Sequence, residues 1–225
     1  MKERLLMYPV TEYPGVGKDD PIRFYSRPIF GALYRRRVEM CLADLQGGSD
    51  MLEVGFGSGV TFRNLSSKYK QISGLDLDAD VELISAFWRE KGIEVDLKSG
   101  SVLGMPYPDR SFDAVLLISI LEHLRPNQLQ TAFSEILRVL RPGGQAVYGV
   151  PMDWWGMRLA FRVLGYDIRL HHFSSELDVR TAAQQILTPV RIRTLTAPVL
   201  PIGLYQVGDF RKVGRTGMGS AQGGG

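Results

Sequence analysis

The sequence predicts an α/β protein on a doubly wound, mostly parallel sheet, and three observations carry that expectation. From residue 51 to about 150, short apolar runs alternate with stretches whose apolar residues recur every three or four positions. The first run breaks at once into spaced glycines, "MLEVGFGSG". Another, "FDAVLLIS", is apolar on both faces, as a central strand covered from two sides must be. Strands alternating with helices at this spacing form parallel sheets.

The elements follow in order. Phe30, Leu33, Tyr34, Val38, Cys41, Leu42 and Leu45 mark one face of a helix that ends at Gly47-Gly48. A strand over 51–54 comes next, then a helix from Gly59 to Tyr69 and a strand "ISGLD". The following helix carries Leu83, Ile84, Phe87 and Trp88, with Asp78 and Asp80 as caps near its start. In "IEVDLK", Ile93, Val95 and Leu97 face one way and Glu94, Asp96 and Lys98 the other, the pattern of an edge strand with one wet face. After the central strand, Leu129, Phe133, Ile136, Leu137 and Leu140 mark a helix that stops at "RPGG", and "QAVYGV" is a strand. Ser174 or Ser175 caps a further helix reaching Leu187.

Composition narrows the function classes. The net charge is +3, and the excess lies in residues 151–225, with 9 basic against 5 acidic side chains; this is too weak a field to argue for nucleic acid. Cys41 is the single cysteine, so no internal disulfide and no cysteine metal cluster can form, which fits a reducing cytoplasm; no metal is expected. The N-terminus lacks a signal-type apolar region, and no apolar stretch approaches the ~20 residues that span a bilayer. A soluble, cytoplasmic protein is expected, with a disordered glycine-rich tail over 214–225.

In a doubly wound sheet the ligand sits at the carboxyl ends of the strands, where the strand order reverses, and the glycines after the first strand fall there. Their spacing is G-x-G-x-G. A dinucleotide fingerprint would need a glycine at position 60, which is Val60. Glu53, two residues before Gly55, would repel a pyrophosphate and suits a ligand bearing a positive amine.

Five motifs in order, "EVGFGSG", Asp76 in "GLDLD", Ser101 in "SGSVLG", Phe112-Asp113, and "VLRPGG", resemble those of the class I S-adenosylmethionine (SAM) dependent methyltransferases over residues 50–150. The resemblance implies a Rossmann-like seven-stranded sheet with an antiparallel C-terminal strand, and SAM as cofactor, leaving as S-adenosylhomocysteine (SAH). It also implies the cofactor-binding residues: Glu53, Gly55, Gly57 and Gly59 at the methionine part, Asp76 at the ribose, Leu77 over the adenine, Ser101 and Val102 at the adenine edge, and Ile118 and Ser119 at the methionine end. The usual residue at the first adenine-edge position is Asp, so Ser101 is a departure. Asp113 is expected to be structural.

Candidate bases are His123 in "ILEHLRP" and His171 and His172 in "RLHHFSSE", with Glu122 and Tyr25 behind them. Ser119 stands where ubiquinone-type O-methyltransferases carry a metal-binding Glu. The chain has "SILE" where base-directed DNA enzymes carry N/D-P-P-Y/F, places its one cysteine on a buried helix face, and lacks the paired glutamates of protein-arginine enzymes. The expected acceptor is a small, partly apolar molecule methylated on oxygen or nitrogen, with no nucleic acid partner; contact with a membrane surface stays open as the lesser alternative. The apolar segment 151–173, with Trp154 and Trp155, is expected to be a lid, with a core-packing helix or an interface segment as the alternatives, and "DDPIRFYSRPIFGALYRRR" the opposite wall, with Arg35 to Arg37 solvated or meeting an acidic group. The expected organisation is one domain over 1–213: a helical extension 1–48, a cofactor-binding core 49–150, a lid and acceptor region 151–188, and C-terminal strands 189–213. The alternatives are a non-catalytic SAM-binding subunit and, disfavoured because no acidic cluster follows the fourth strand, an aminopropyltransferase.

Overall fold

The computed structural model describes residues 3–14, 22–25, 28–152, 173–197 and 202–213. Trp154, Trp155, most of the expected lid, His171, His172 and the tail lie outside the described residues.

Seven strands are β1 (Gly48–Val54), β2 (Tyr69–Asp76), β3 (Asp96–Ser99), β4 (Phe112–Ile118), β5 (Leu140–Pro151), β6 (Thr188–Thr196) and β7 (Gly203–Arg211). They form one sheet in the order β3-β2-β1-β4-β5-β7-β6. The pairings β1·β2, β1·β4, β2·β3 and β4·β5 are parallel, and β7 is antiparallel to both its neighbours. This is the fold class that the sequence predicts.

Among the described residues six α-helices accompany them: α1 (Ile22–Tyr25), α2 (Pro28–Asp44), α3 (Phe62–Leu65), α4 (Val81–Glu90), α5 (Pro126–Val139) and α6 (Glu176–Ile186). The two-residue period of the strands sends alternate side chains into two separate cores. Met51, Ala114, Leu116 and Val147 face the core that holds α2 and α4. Leu52, Val54, Val115, Leu117, Ala146 and Tyr148 face the one that holds α5 and α6. Residues 5–13 pack across the first core, where Tyr13 meets Phe87 and Trp88.

Three elements differ from expectation for local reasons. The helix expected from Gly59 to Tyr69 is only α3, because the backbone closes into turns through Ser66, Ser67 and Lys68, and Tyr69 already pairs beside Gly48. In "IEVDLK", only Asp96 onward joins the sheet, at its edge as expected; Ile93 and Val95 pack on the core before it. "RPGG" does not precede β5 but belongs to it: the register jumps from Phe112↔Leu140 to Ala114↔Gln145, and the extra residues let Arg141 reach Asp50 and Asp113. Asp80 caps α4 by accepting from the Leu83 amide, and Ser175 caps α6 from the Asp178 amide.

Candidate functional site

The crossover from β1 runs to β2 on one side and the crossover from β4 runs to β5 on the other, so the strand order reverses between β1 and β4. A cleft of about 360 Å³ opens there at the carboxyl ends of the strands, lined from β1 and its loop, from β2, from the end of β4, and from α1 and α2. Its volume falls in the range of small-molecule sites, about 300–1,000 Å³.

The three glycines of the loop answer to two different constraints. Each has positive φ. A Cβ on Gly55 would meet the Ile120 side chain at 1.9 Å, and one on Gly59 would meet Phe62 at 2.5 Å and Trp88 Nε1 at 2.6 Å. Those two are therefore demanded by protein packing. Gly57 is turned so that its amide donates to Asp76 Oδ2 at 2.8 Å, which ties the loop to the end of β2.

Asp76 also accepts from the amides of Asp78 and Ala79, both at 3.0 Å on Oδ1. A carboxylate offers about four acceptor positions, so about one stays open toward the cleft. Glu53 lines the same cleft, 3% exposed, and accepts from the Thr61 hydroxyl. Burial pushes its carboxyl up to about 8, the Thr61 hydrogen bond pulls it down, and Asp76 adds repulsion. A buried carboxyl held in that state is stabilised by an arriving cation.

The far end of the cleft is built from three elements that the chain brings together from a distance. Arg37 on α2 lies over the Tyr34 ring at 4.1 Å and donates from Nη1 to Ser119 Oγ at 3.2 Å. Ser119, a non-glycine residue at φ 57, is also 3.0 Å from the Tyr205 hydroxyl on β7. The buried Nε of Arg37 has no hydrogen-bond partner, an orphan donor on a residue that lines the cleft. Behind it, in the 3-10 turn Leu121–His123, Glu122 is 2% exposed and its Oε2 is likewise unpartnered. Burial pushes Glu122 up to about 8, against the pull of its own backbone amide, Arg37 and Ser119.

Of the residues the sequence singles out, Glu53, Gly55, Gly57, Asp76, Ile118 and Ser119 line this cleft together. Leu77 stands two-thirds exposed beside it. Gly59, Ser101 and Val102 are not among its lining residues; the Ser101 hydroxyl accepts from the Leu103 amide, and Val102 is buried in the second core. His123 is exposed and is not among the lining residues either. Among the described residues no group of three or more His, Cys, Asp or Glu could hold a metal ion, and no helix is long and apolar enough to cross a membrane. Thr61 and Tyr205 have no local signal in the sequence. Arg37 does, within "RRR", but the register that picks it from its neighbours comes only from the helix.

Comparison with known proteins matches residues 52–148 to a methyltransferase-domain family. A probable S-adenosylmethionine-dependent methyltransferase of Mycolicibacterium smegmatis is 34% identical over 119 residues, 53% of this chain and 42% of that one. A fatty-acid O-methyltransferase of the same organism is 34% identical over 148 residues, 64% of this chain and 51% of that one. The chain thus spans about half the length of these relatives. The fold is shared with the N-methyltransferase NodS of Bradyrhizobium japonicum, solved with SAH, at a TM-score of 0.67 and 19% identity, covering 90% of this chain and 96% of that one.

Proposed function

From a chain whose residues 52–148 match a methyltransferase-domain family and whose fold is shared with a methyltransferase solved with SAH, we propose that it transfers a methyl group from SAM to an oxygen or nitrogen of a small, partly apolar acceptor. The observation that carries this reading is the cleft at the β1–β4 reversal, lined by the buried Glu53, the half-buried Asp76 and the orphan guanidinium donor of Arg37.

That arrangement fits an α-amino acid joined to a nucleoside. In this reading Glu53 takes the ammonium, Arg37 the carboxylate and Asp76 a ribose hydroxyl through its open acceptor position, while Leu77 covers the adenine. Gly57 leaves the loop free of a side chain where the methionine part passes. Ile118 and Ser119 border that part from β4, and Ser101 and Val102 stand further along, near the adenine edge. The bound sulfonium supplies an activated methyl group. The chain's contribution is to hold donor and acceptor in line at near-attack distance and to exclude water.

Apolar walls from Ile22, Phe56, Val60 and Ile120 support a partly apolar acceptor. So does the similarity to a fatty-acid O-methyltransferase and to demethylmenaquinone methyltransferases of Tropheryma whipplei. A base is needed only if the acceptor must lose a proton as it attacks. His123, which is exposed, and His171 and His172 stay candidates for that role.

The experiment is incubation with methyl-labelled SAM and a panel of a long-chain fatty acid, a reduced quinone precursor and fractionated lipid extract, followed by identification of the labelled product. A labelled small molecule in any arm supports the reading. SAH binding with no labelled product in any arm would replace it with a non-catalytic SAM-binding subunit.

A further inference from the structure

The end of the cleft that holds Arg37 is completed by a residue from far along the chain. Ser119 follows β4, and its amide donates to the Gly149 carbonyl on β5 at 2.8 Å, so its backbone is still tied to the sheet. Its φ of 57 lies in the left-handed region, which a serine keeps only where its surroundings hold it. The Ser119 hydroxyl accepts from Arg37 Nη1 at 3.2 Å and lies 3.0 Å from the hydroxyl of Tyr205 on β7.

Tyr205 reaches that point because β5 lacks a side chain beneath it. In the β5·β7 pairing Tyr205 stands opposite Pro151, two positions along from Gly149 and on the same face. A Cβ on Gly149 would lie 2.5 Å from the Tyr205 ring, 2.6 Å from its hydroxyl and 2.7 Å from Cys41 Sγ. Gly149 has no positive φ, so space rather than backbone conformation demands the glycine. The ring is thus buried across β5 and delivers its hydroxyl to the end of β4. Burial pushes that phenol far up, so it stays protonated and serves as a hydrogen-bonding group rather than a base.

Arg37 is held from several sides. The Tyr34 ring lies 4.1 Å and the Tyr205 ring 5.6 Å from its Cζ, and Tyr25 from α1 hydrogen-bonds to it. A guanidinium is a rigid planar fork on a long flexible stem, so fixing Nη1 on Ser119 also fixes where the orphan Nε points. Arg37 and Tyr205 both lie outside residues 52–148, the stretch that matches the methyltransferase-domain family.

We propose that Tyr205 is a positioning residue of the cofactor site: passing over Gly149, it holds the Ser119 hydroxyl where that hydroxyl aims Arg37 at the ligand carboxylate. The inference rests on the reading of Arg37 as the carboxylate site. By this route the antiparallel strand β7, which lends no residue to the lining of the cleft, sets the affinity for one arm of the ligand.

The test is calorimetric titration of the whole chain with SAH and with decarboxylated SAH, which keeps the ammonium and lacks only the carboxylate. Tyr205→Phe keeps the ring and removes the hydroxyl. It is expected to weaken SAH about three- to tenfold, the size of one net hydrogen bond, and to leave decarboxylated SAH within about twofold. In an Arg37→Ala background the same change is expected to cost SAH nothing further, because the group it acts through is gone. A merely structural tyrosine would weaken both ligands alike, or add its full loss to that of Arg37→Ala, and either result overturns the inference. Gly149→Ala tests the route without removing a hydrogen-bonding atom, since its Cβ displaces the Tyr205 ring. It is expected to weaken SAH but not decarboxylated SAH, and it decides the question if melting shows Tyr205→Phe unfolded. If Arg37→Ala leaves SAH affinity unchanged, or SAH does not bind, the carboxylate site itself falls and this inference with it.

Discussion

The two ends of the sheet invite comparison, because each carries a polar groove and glycines but the side chains lining the two hollows are paired to different degrees. At the amino ends of β1, β4 and β5, a groove of about 260 Å³ is lined by Gly47, Gly48, Asp113, Arg141 and Gln145. Every charge named there is met. Asp113 accepts from the Ser49 and Asp50 amides at 2.7 and 3.0 Å and pairs with Arg141 at 2.8 Å, and Arg141 also holds Asp50. Gln145 donates to the Asp44 carbonyl and to Asp209. At the carboxyl ends, Glu53 and Glu122 are buried with raised titration, and Arg37 and Glu122 each keep an orphan atom. Near the amino end Asp44 Oδ2 and Arg193 Nε also lack a hydrogen bond, but those two side chains form an ion pair at 2.7 Å and line neither hollow, whereas the orphan donor of Arg37 lines the carboxyl-end cleft itself. A folded chain can keep desolvated unpaired groups only where something else compensates them.

The comparison breaks most sharply at the loop. Gly57→Val should abolish SAH binding, at least a hundredfold, because a β-branched residue at φ 51 is strained and its side chain intrudes on the loop that Asp76 holds. Circular dichroism should show the fold kept. Next, Asp76→Ala should cost ~2 kcal/mol or more of SAH affinity, about thirtyfold by calorimetry, since it removes a charged acceptor and releases three amides. Unchanged affinity in either variant would reduce the cleft to a turn and a hollow.

The sequence made the parallel sheet legible because a buried strand must be apolar on both faces, and "FDAVLLIS" has no other use in water. It also made Glu53 and Asp76 legible, because each ends or nearly ends a strand at the glycine loop. What it hid was set by contacts across the chain. Gly55 and Gly59 look alike in "GFGSG" until Ile120, Phe62 and Trp88 are placed against them. Glu122 and His123 are neighbours, and only the geometry of a three-residue turn sends one inward and the other to solvent. The single turn of α3 depended on where Tyr69 pairs, which no local pattern states.

At the satisfied end, Asp113→Ala should do the reverse of Asp76→Ala. It strands two amides and Arg141, for a loss of about 1–3 kcal/mol of stability. At about 2–4 °C per kcal/mol for a chain of this size, the melting temperature falls by several degrees, while SAH affinity should stay within about twofold. A smaller effect sharpens the contrast from the open end. Glu53 titrates near 8 when folded, above its unfolded value of about 4.3, so the stability it contributes is present at low pH and lost as pH rises through 8. Glu53→Gln should melt a few degrees above wild type at pH 9 without ligand and lose that advantage at pH 5. An advantage at both pH values would show that burial of the charge is not the cause.

The central claim is that the ligand site is the cleft at the reversal between β1 and β4, where an unmet donor lines the hollow. A crystal structure of the chain grown with SAH tests it most directly. The account predicts SAH in the cleft, its ammonium at Glu53, its ribose at Asp76 and its carboxylate at Arg37. Density for SAH in the groove by Arg141, or in the carboxyl-end cleft with none of those three contacts, would contradict it.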